Sequence, residues 1–251
     1  MSDCHLQKHM YLCLFFSFSI LLISPIAKAQ QSLQDSVVVK NIVDDFLNDH
    51  KKQAGHNLPL FNGREYISNG QKARGFPFYE SDDFISGSVY YNGSLYNNVK
   101  MHYDLVLDQV VINDFGSANQ IELVKEKIDY FDLANRHFVR VIPDKPSSEI
   151  LMAGFYEQLY GGYVTVLARR EKKLVFPSRV DEEIKYVDHN FYFMKIKESY
   201  YKIDNGRSVL KIMKDKKDLV QKFIKDNNIS FKDNPEEAYA KTAEYYSKLM
   251  N

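Results

Sequence analysis

His102 and Asp104 lie two residues apart in a stretch that alternates between apolar and polar side chains, and Asp108 follows shortly after. Residues i and i+2 of a β-strand point to the same face, so the imidazole and the first carboxylate should lie side by side. Such a group could bind a divalent metal or support acid–base catalysis. The solvent-exposed face of an amphipathic strand has the same spacing, and we favour that interpretation. The sequence therefore assigns no catalytic residue and no metal site. If the protein is an enzyme, His102, Asp104 and Asp108 are the candidates for catalysis.

The sequence contains none of the common enzyme motifs. It has no G-x-S-x-G, no H-E-x-x-H and no phosphate-binding P-loop. Adjacent acids occur at 44–45, 82–83 and 181–183, but a glycosidase needs two carboxylates on opposite sides of a cleft, which adjacency does not imply. The sequence leaves catalysis open, favours a protein without it, and predicts no cofactor.

Tyrosine is the most suggestive residue type for ligand binding, since the chain has 18 Tyr and 17 Phe but no Trp. A tyrosine combines a flat apolar ring with a polar tip, which suits ligand recognition and also packing between strands. Both interpretations stay open. The tyrosines that we predict to bind a ligand are Tyr90, Tyr96, Tyr103, Tyr156 and Tyr160.

Charge argues against some partners. Lys plus Arg is 33 and Asp plus Glu is 33, so the formal net charge is zero and the basic excess of a nucleic-acid-binding protein is missing. Basic clusters occur at 169–173 and among the lysines of 211–225. The second cluster alternates with acids and is typical of a solvated helix face, with attraction to anionic lipid headgroups or acidic glycans as the sharper alternative. We expect an envelope protein, a lipid or a glycan as the partner, and no nucleic acid.

The first 29 residues have the pattern of a secretory signal peptide. Lys8 and His9 precede an apolar run at 11–23, and Ala27-Lys28-Ala29 forms an A-x-A cleavage site. The run is shorter than the roughly 20 residues that a membrane-spanning helix needs. We expect export to the periplasm, the outer membrane or the medium, with no transmembrane span after cleavage; an uncleaved anchor helix is the alternative. Both cysteines, Cys4 and Cys13, would be removed, which leaves a mature chain without thiols or disulfides.

Hydrophobic periodicity predicts three regions after the signal peptide. Residues 36–52 repeat at helical spacing, 58–204 form a β-rich body, and 207–251 form a helical tail. Asn92-Gly93 predicts a two-residue hairpin turn, and 99–107 alternate as a strand with one solvent-exposed face. We expect further strands at 110–112, 121–124, 128–133, 137–142, 154–160, 163–168, 191–196 and 200–203.

In the tail, Ser208 is the predicted cap of a helical segment that breaks near Lys214-Asp215, and Asn234-Pro235 begins a final helix. Together these patterns predict an α+β fold. It consists of an antiparallel curved sheet or partial barrel with an N-terminal helix and C-terminal helices. Residues 30–251 are expected to form a single domain.

Several short segments also carry a family resemblance: 61–66 (FNGREY), 75–78 (GFPF), 87–93 (GSVYYNG), 96–99 (YNNV), 103–105 with 108–111, 154–156 and 159–162. In their order along the chain they resemble a group of exported envelope proteins of the Bacteroidota type, a group with no established activity. The resemblance implies a Gram-negative envelope location and carries over no catalytic residue.

These observations favour an exported, non-catalytic binding or envelope-associated protein. The curved sheet with its covering helices would hold an apolar or glycan ligand or dock an envelope protein. Two alternatives stay open. One is a hydrolase that acts on envelope or glycan polymers through His102, Asp104 and Asp108, and the other is a structural or adhesive module.

Overall fold

The computed structural model describes residues 59–68, 72–114, 119–143, 151–179 and 182–251. All of them belong to one unit, His56–Asn251. The predicted signal peptide, the two cysteines and the predicted helix at 36–52 lie outside the described residues.

Strands dominate the described part of the chain: β1 (Arg64–Glu65), β2 (Ile85–Tyr91), β3 (Ser94–Asp104), β4 (Gln109–Asn113), β5 (Gln120–Glu122), β6 (Ile128–Leu133), β7 (Arg136–Val141), β8 (Gly154–Tyr160), β9 (Val164–Val175), β10 (Lys185–Ile196) and β11 (Ser199–Ile203). They form one open antiparallel sheet of eleven strands in the order β1-β5-β4-β3-β2-β6-β7-β8-β9-β10-β11. Most neighbours in the sheet also follow each other in sequence, because hairpins connect them. The exceptions are the pairs β1–β5 and β2–β6. The predicted antiparallel sheet is confirmed, and it is open rather than closed.

The hairpin between β2 and β3 turns at Asn92 and Gly93, as the sequence predicts. Their φ angles are 50° and 79°, the left-handed values that a type I′ turn requires at both central positions. A second tight turn, at Ala134 and Asn135, joins β6 to β7 with φ angles of 51° and 60°. It contains no glycine, and its residue types therefore do not predict a tight turn as Asn92-Gly93 does.

The turn between β3 and β4 corrects the predicted strand at 99–107. β3 ends at Asp104, whose Oδ1 accepts hydrogen bonds from the backbone amides of Val106 at 2.8 Å and Leu107 at 3.0 Å. This local capping folds 105–108 into a turn, and Asp108 has a left-handed φ of 54°. The alternation of apolar and polar residues therefore continues past Asp104, where the strand ends.

β9 and β10 are longer than the predicted strands at 163–168 and 191–196. Their outer halves, 169–175 and 185–191, pair with each other in one continuous antiparallel ladder. The outer half of β9 is rich in charged residues, so the alternation of apolar residues does not predict it as a strand. The extension places two charged side chains, Arg170 and Lys172, on the same face of the sheet.

Three α-helices follow the sheet: α1 (Gly206–Ile212), α2 (Lys217–Asp226) and α3 (Pro235–Met250). The predicted break is confirmed, since a 3-10 turn at Lys214–Lys216 separates α1 from α2. The cap of α1 differs from the prediction. The side-chain oxygen of Asn205 accepts from the backbone amide of Ser208, and Ser208 Oγ accepts from the backbone amide of Asn205, so the two residues form a capping box. No described helix combines the length and the apolar character needed to span a membrane.

Two buried clusters stabilise this arrangement. In the first, the rings of Phe131 and Phe138 stack 4.8 Å apart, and Tyr103 and Phe155 pack edge-on against Phe131. In the second, apolar side chains of α1, α2 and α3 cover β9, β10 and β11: Val164, Val166, Met194, Ile203, Val209, Met213, Val220, Tyr239, Ala243 and Tyr246. The helices thus cover one end of the sheet and bring the start of α3 to the charged part of β9.

Candidate functional site

His102 lies in a buried aromatic sandwich. Its ring stacks on Phe78 at 3.9 Å and on Phe84 at 3.8 Å between ring centroids, and the residue is only 4% exposed. Neither ring nitrogen has a hydrogen-bond partner in the structure. The two phenylalanines belong to residues 74–84, which we call the cover segment. The expectation of a solvent-exposed face at His102 is therefore wrong, because the cover segment lies over this part of β3.

Asp104 and Asp108 are also buried, and each carboxylate already has structural partners. Asp104 accepts a hydrogen bond from the hydroxyl of Tyr66 at 2.8 Å, in addition to the two turn amides. Asp108 accepts from the hydroxyl of Tyr103 at 2.7 Å, and Tyr103 points to the other face of β3. The structure thus places His102 beside Asp104 but separates Asp108 from them. Among the described residues, no three histidine, cysteine or acidic side chains gather as metal ligands.

The sandwich around His102 predicts acid sensitivity. Burial lowers the pKa of His102, because a charged imidazolium would lose its hydration between two rings, while the exposed Asp82 and Asp83 partly oppose this effect. Since the folded pKa is depressed, the stabilisation is complete above the unfolded pKa of about 6.5 and is lost as the pH falls through the folded pKa. We expect the free energy of unfolding, measured in urea, to fall between pH 7 and pH 5, and to fall less in His102→Phe. Equal slopes in wild type, His102→Phe and the control His189→Phe would contradict this assignment.

The five tyrosines that the sequence singled out do not lie together. Tyr96 and Tyr103 are in the aromatic core with Phe131, whereas Tyr156 is in a smaller cluster with Leu167 and Phe193. Tyr160 packs at the helical end of the sheet. Tyr90 is half-buried and stacks on Tyr130 with 5.1 Å between ring centroids. In these positions the rings pack between strands, and their role in ligand binding stays a prediction.

A polar cavity of about 420 Å³ brings charged side chains of five sequence segments together. We call it the charged pocket. Its size is within the range of small-molecule sites. The cover segment, the turn after β3, and β7, β9, β10 and α3 all contribute to its walls. The residues that line it are Phe76, Tyr79, Glu80, Leu105, Arg136, Arg170, Lys172, Asp188, Asn190 and Glu236.

Arg170 forms the centre of the charged pocket and bridges two acids. Its Nε and Nη2 donate to Glu157 Oε2 at 2.7 and 2.5 Å, and Nη1 and Nη2 donate to the carboxylate of Glu236 at 2.5 and 2.9 Å. The hydroxyl of Tyr192 also donates to Glu236, at 2.9 Å. The hydrogen bonds from Arg170 lower the pKa of Glu236 despite its partial burial. A planar guanidinium is suited to two such bidentate contacts.

The local fold explains why these groups meet. Arg170 follows Val166 and Ala168 on the face of β9 that the helices cover, and it lies opposite Asn190 in the ladder. Glu236 is in the first turn of α3, where the positive end of the helix dipole favours a carboxylate. Packing of α3 on β9 therefore carries this acid directly to Arg170.

Lys172 joins the wall of the charged pocket to the cover segment. Its ammonium donates to the backbone carbonyls of Phe76 at 3.2 Å and Phe78 at 2.7 Å, and it lies 4.4 Å from the centroid of the Phe76 ring. Its backbone amide donates to the carbonyl of Leu105 at 3.1 Å. Burial lowers the pKa of Lys172, although nearby acids, chiefly Asp188, oppose the shift. A titratable group shifted in this way within a cleft is typical of functional sites.

Three further charges at the charged pocket are less engaged. The side chain of Arg136 is 52% exposed, and its Nη1 lies 3.3 Å from Glu157 Oε1, an oxygen that makes no hydrogen bond. Asp188 is 69% exposed and lies 4.0 Å from Lys172, at the limit of an ion pair. Glu80 is exposed and has no ion pair with any described residue. The inner charges thus neutralise one another, while one cation and two anions are available to a ligand.

Sequence reasoning missed this pocket. The sequence shows a basic cluster at 169–173 but not its burial: Arg169 and Arg170 are only 7% and 8% exposed. Alternation starting from Ala168 was the available signal, since it places Arg170 and Lys172 on one face. Nothing in the sequence connects them to residues 80, 136 or 236. Comparisons with protein-family models, with curated proteins and with solved structures give no match to this chain.

Proposed function

We propose that this protein is a non-catalytic binding protein that holds a small polar ligand in the charged pocket. The observation that carries the proposal is the convergence of Arg136, Glu80 and Asp188 around a cavity whose inner charges are already paired. Buried charges that are paired shape a site, and the exposed ones at its mouth can exchange water for a ligand.

Binding is favoured over catalysis because the buried acids are already engaged in structural hydrogen bonds. Glu157 and Glu236 accept hydrogen bonds from Arg170, and Asp104 and Asp108 accept hydrogen bonds that tie turns and strands together. A general acid or base needs a proton-transfer path to a substrate within hydrogen-bond distance. The hydrolase alternative would require Asp104, at the end of β3, and Asp108, in the turn that follows, to act together, although each accepts a hydrogen bond from a different tyrosine hydroxyl.

The cellular context of this proposal is the bacterial envelope. Its support is the signal-peptide pattern of residues 1–29 and the resemblance to exported envelope proteins. A ligand pocket with charged walls suits a small water-soluble compound better than a lipid tail, so we propose uptake or sensing of a polar compound outside the cytoplasm. An adhesive module would instead present a contiguous apolar patch to a partner.

A pocket-filling substitution tests the proposal. Asn190 lies directly opposite Arg170 in the ladder and lines the charged pocket, so Asn190→Trp should occupy the cavity. His189 is its neighbour on the other face of β10, which makes His189→Trp a matched control. We expect native mass spectrometry of the purified protein, or thermal unfolding with a panel of amino acids, sugars and nucleotides, to reveal a ligand. At one hundred times Kd that ligand would stabilise the fold by about 2.7 kcal/mol.

Comparison of Asn190→Trp with His189→Trp shows whether a bound ligand occupies the charged pocket. Binding by wild type and His189→Trp, but not by Asn190→Trp, supports the charged pocket as the site. Binding that survives in Asn190→Trp places the ligand elsewhere and contradicts the proposal. The absence of any added mass and of any thermal shift across the panel would also contradict it.

A further inference from the structure

The charges that remain available at the charged pocket differ in sign and position. Arg136 lies at the β6–β7 end, beside Glu157 and Arg170, whereas Asp188 lies beside Lys172 on the outer half of β10. Glu80 is in the cover segment next to Tyr79 and adds a second exposed carboxylate to the wall. A ligand that fills the cavity would meet a guanidinium beside Glu157 and a carboxylate beside Lys172, with Glu80 as a second carboxylate in the wall.

Arg136 has the properties of a carboxylate clamp. Its guanidinium is half-exposed and contacts Glu157 Oε1 at 3.3 Å without a hydrogen bond of good geometry. Its N–H donors are therefore free to form the bidentate pair with a ligand carboxylate that arginine geometry favours. Arg170 cannot replace it, because four of its five N–H donors already bond to Glu157 and Glu236.

Glu80 and Asp188 have the properties of an ammonium site. Neither makes a close ion pair with a described cation, since the contact from Asp188 to Lys172 is 4.0 Å and Lys172 bonds to two backbone carbonyls instead. With Arg136 they leave one uncompensated negative charge at the mouth of the pocket. Phe76, Tyr79 and Leu105 supply apolar contact area in the same wall.

Resting on the proposed binding function, we propose that the ligand is a small zwitterion, a free amino acid or a short peptide. Its carboxylate binds Arg136 and its ammonium binds Glu80 and Asp188. Recognition of both ends gives specificity, because a ligand that lacks either charge leaves a charged group of the pocket desolvated without a partner.

A matched set of probes tests this inference. Isothermal titration of the full chain would use alanine, Ala-Ala, N-acetyl-Ala-Ala, Ala-Ala amide and the neutral sugar maltose. The acetyl group removes the ammonium and the amide removes the carboxylate, while both keep the rest of the molecule. We expect alanine or Ala-Ala to bind, and each capped form to bind about tenfold to a hundredfold more weakly, the range of a charge-assisted hydrogen bond.

Two variants assign each end of the ligand to its residue. Arg136→Gln should abolish the preference for Ala-Ala over its amide while keeping the preference over the acetyl form. Asp188→Asn should weaken the preference over the acetyl form and leave the preference over the amide. Both positions are exposed enough that the fold should remain, which a thermal melt of each variant verifies.

The outcomes separate this inference from the proposed function. Equal binding of the capped probes or of maltose, blocked by Asn190→Trp, would overturn the zwitterion inference and preserve the charged pocket as a binding site. Binding of Ala-Ala that Asn190→Trp leaves unchanged would overturn both, as would the absence of binding by every probe and by the broader panel. Alanine and Ala-Ala together distinguish a free amino acid from a peptide.

Discussion

Replacement of Arg170 by methionine is expected to be the most damaging single change in the described part of the chain. Arg170 is 8% exposed, and Glu157, which receives two of its hydrogen bonds, is 1% exposed. Without the guanidinium, Glu157 and Glu236 would face each other as like charges with only the half-exposed Arg136 nearby. Removal of one partner from a buried ion pair costs about 3–5 kcal/mol, because the other charge remains buried and uncompensated. Urea unfolding at pH 7 measures this loss directly.

The dependence on pH distinguishes this electrostatic loss from a packing defect. Arg170 lowers the pKa of Glu236, so its contribution is present above the ordinary carboxyl pKa and is lost as the pH falls through the lowered folded value. The difference between wild type and Arg170→Met should therefore shrink below about pH 4.5, where Glu236 in the variant is protonated. A packing defect would lower the free energy of unfolding by the same amount at pH 7 and below pH 4.5. Lys173→Met, on an exposed neighbour, should change stability by less than about 0.5 kcal/mol.

Arg170→Lys tests the role of guanidinium geometry, because it keeps the positive charge and changes the shape of the donor group. A lysine ammonium has three donors at one point and cannot form two bidentate pairs. We expect an intermediate loss of stability, between those of wild type and Arg170→Met. If the lysine variant were as stable as wild type, charge alone would hold Glu157 and Glu236, and the planar fork would be unimportant.

Local signals predicted most of the strands, the break after α1 and the start of α3. Asn92-Gly93 forces positive φ angles, and Asn234-Pro235 combines a capping side chain with a residue that lacks the amide hydrogen. The predicted strand bounds are wrong where tertiary contacts, rather than the local sequence pattern, determine the structure. In the outer half of β9, Arg170 is buried and Lys172 is half-buried although both are charged, because α3 and the cover segment provide their partners.

The candidate site could not be predicted in the same way. The charged pocket depends on contacts between residues separated by 66 positions, as for Arg170 and Glu236, and by 94 positions, as for Lys172 and the carbonyl of Phe78. No short motif encodes such a distance. His102 illustrates the opposite error: alternation placed it correctly on one face of β3 but could not show that Phe78 and Phe84 would cover that face.

Asp108 is expected to be the second most sensitive position, because it connects the β3–β4 turn to β8 and β9. Its Oδ1 accepts from the hydroxyl of Tyr103 at 2.7 Å and the amide of Phe155 at 3.3 Å. Its Oδ2 binds Lys125 at 2.9 Å and Arg169 at 3.2 Å. Asp108→Ala would leave the side chain of Arg169, which is 8% exposed, short of its buried counter-ion, and the fully buried Tyr103 hydroxyl without an acceptor. We expect a loss of about 3–5 kcal/mol in urea unfolding.

Asp108→Asn separates the charge of this residue from its shape. Asparagine tolerates the left-handed φ of 54° and keeps an oxygen for the Tyr103 hydroxyl, but it cannot neutralise Arg169. The asparagine variant should therefore lose less stability than the alanine variant, and Asp129→Ala, at an exposed acid of β6, should lose less than about 0.5 kcal/mol. If Asp108→Asn and Asp108→Ala were equally destabilised, the ion pairs with Lys125 and Arg169 would account for the whole effect. If neither were destabilised, this turn would not hold the sheet in its observed arrangement.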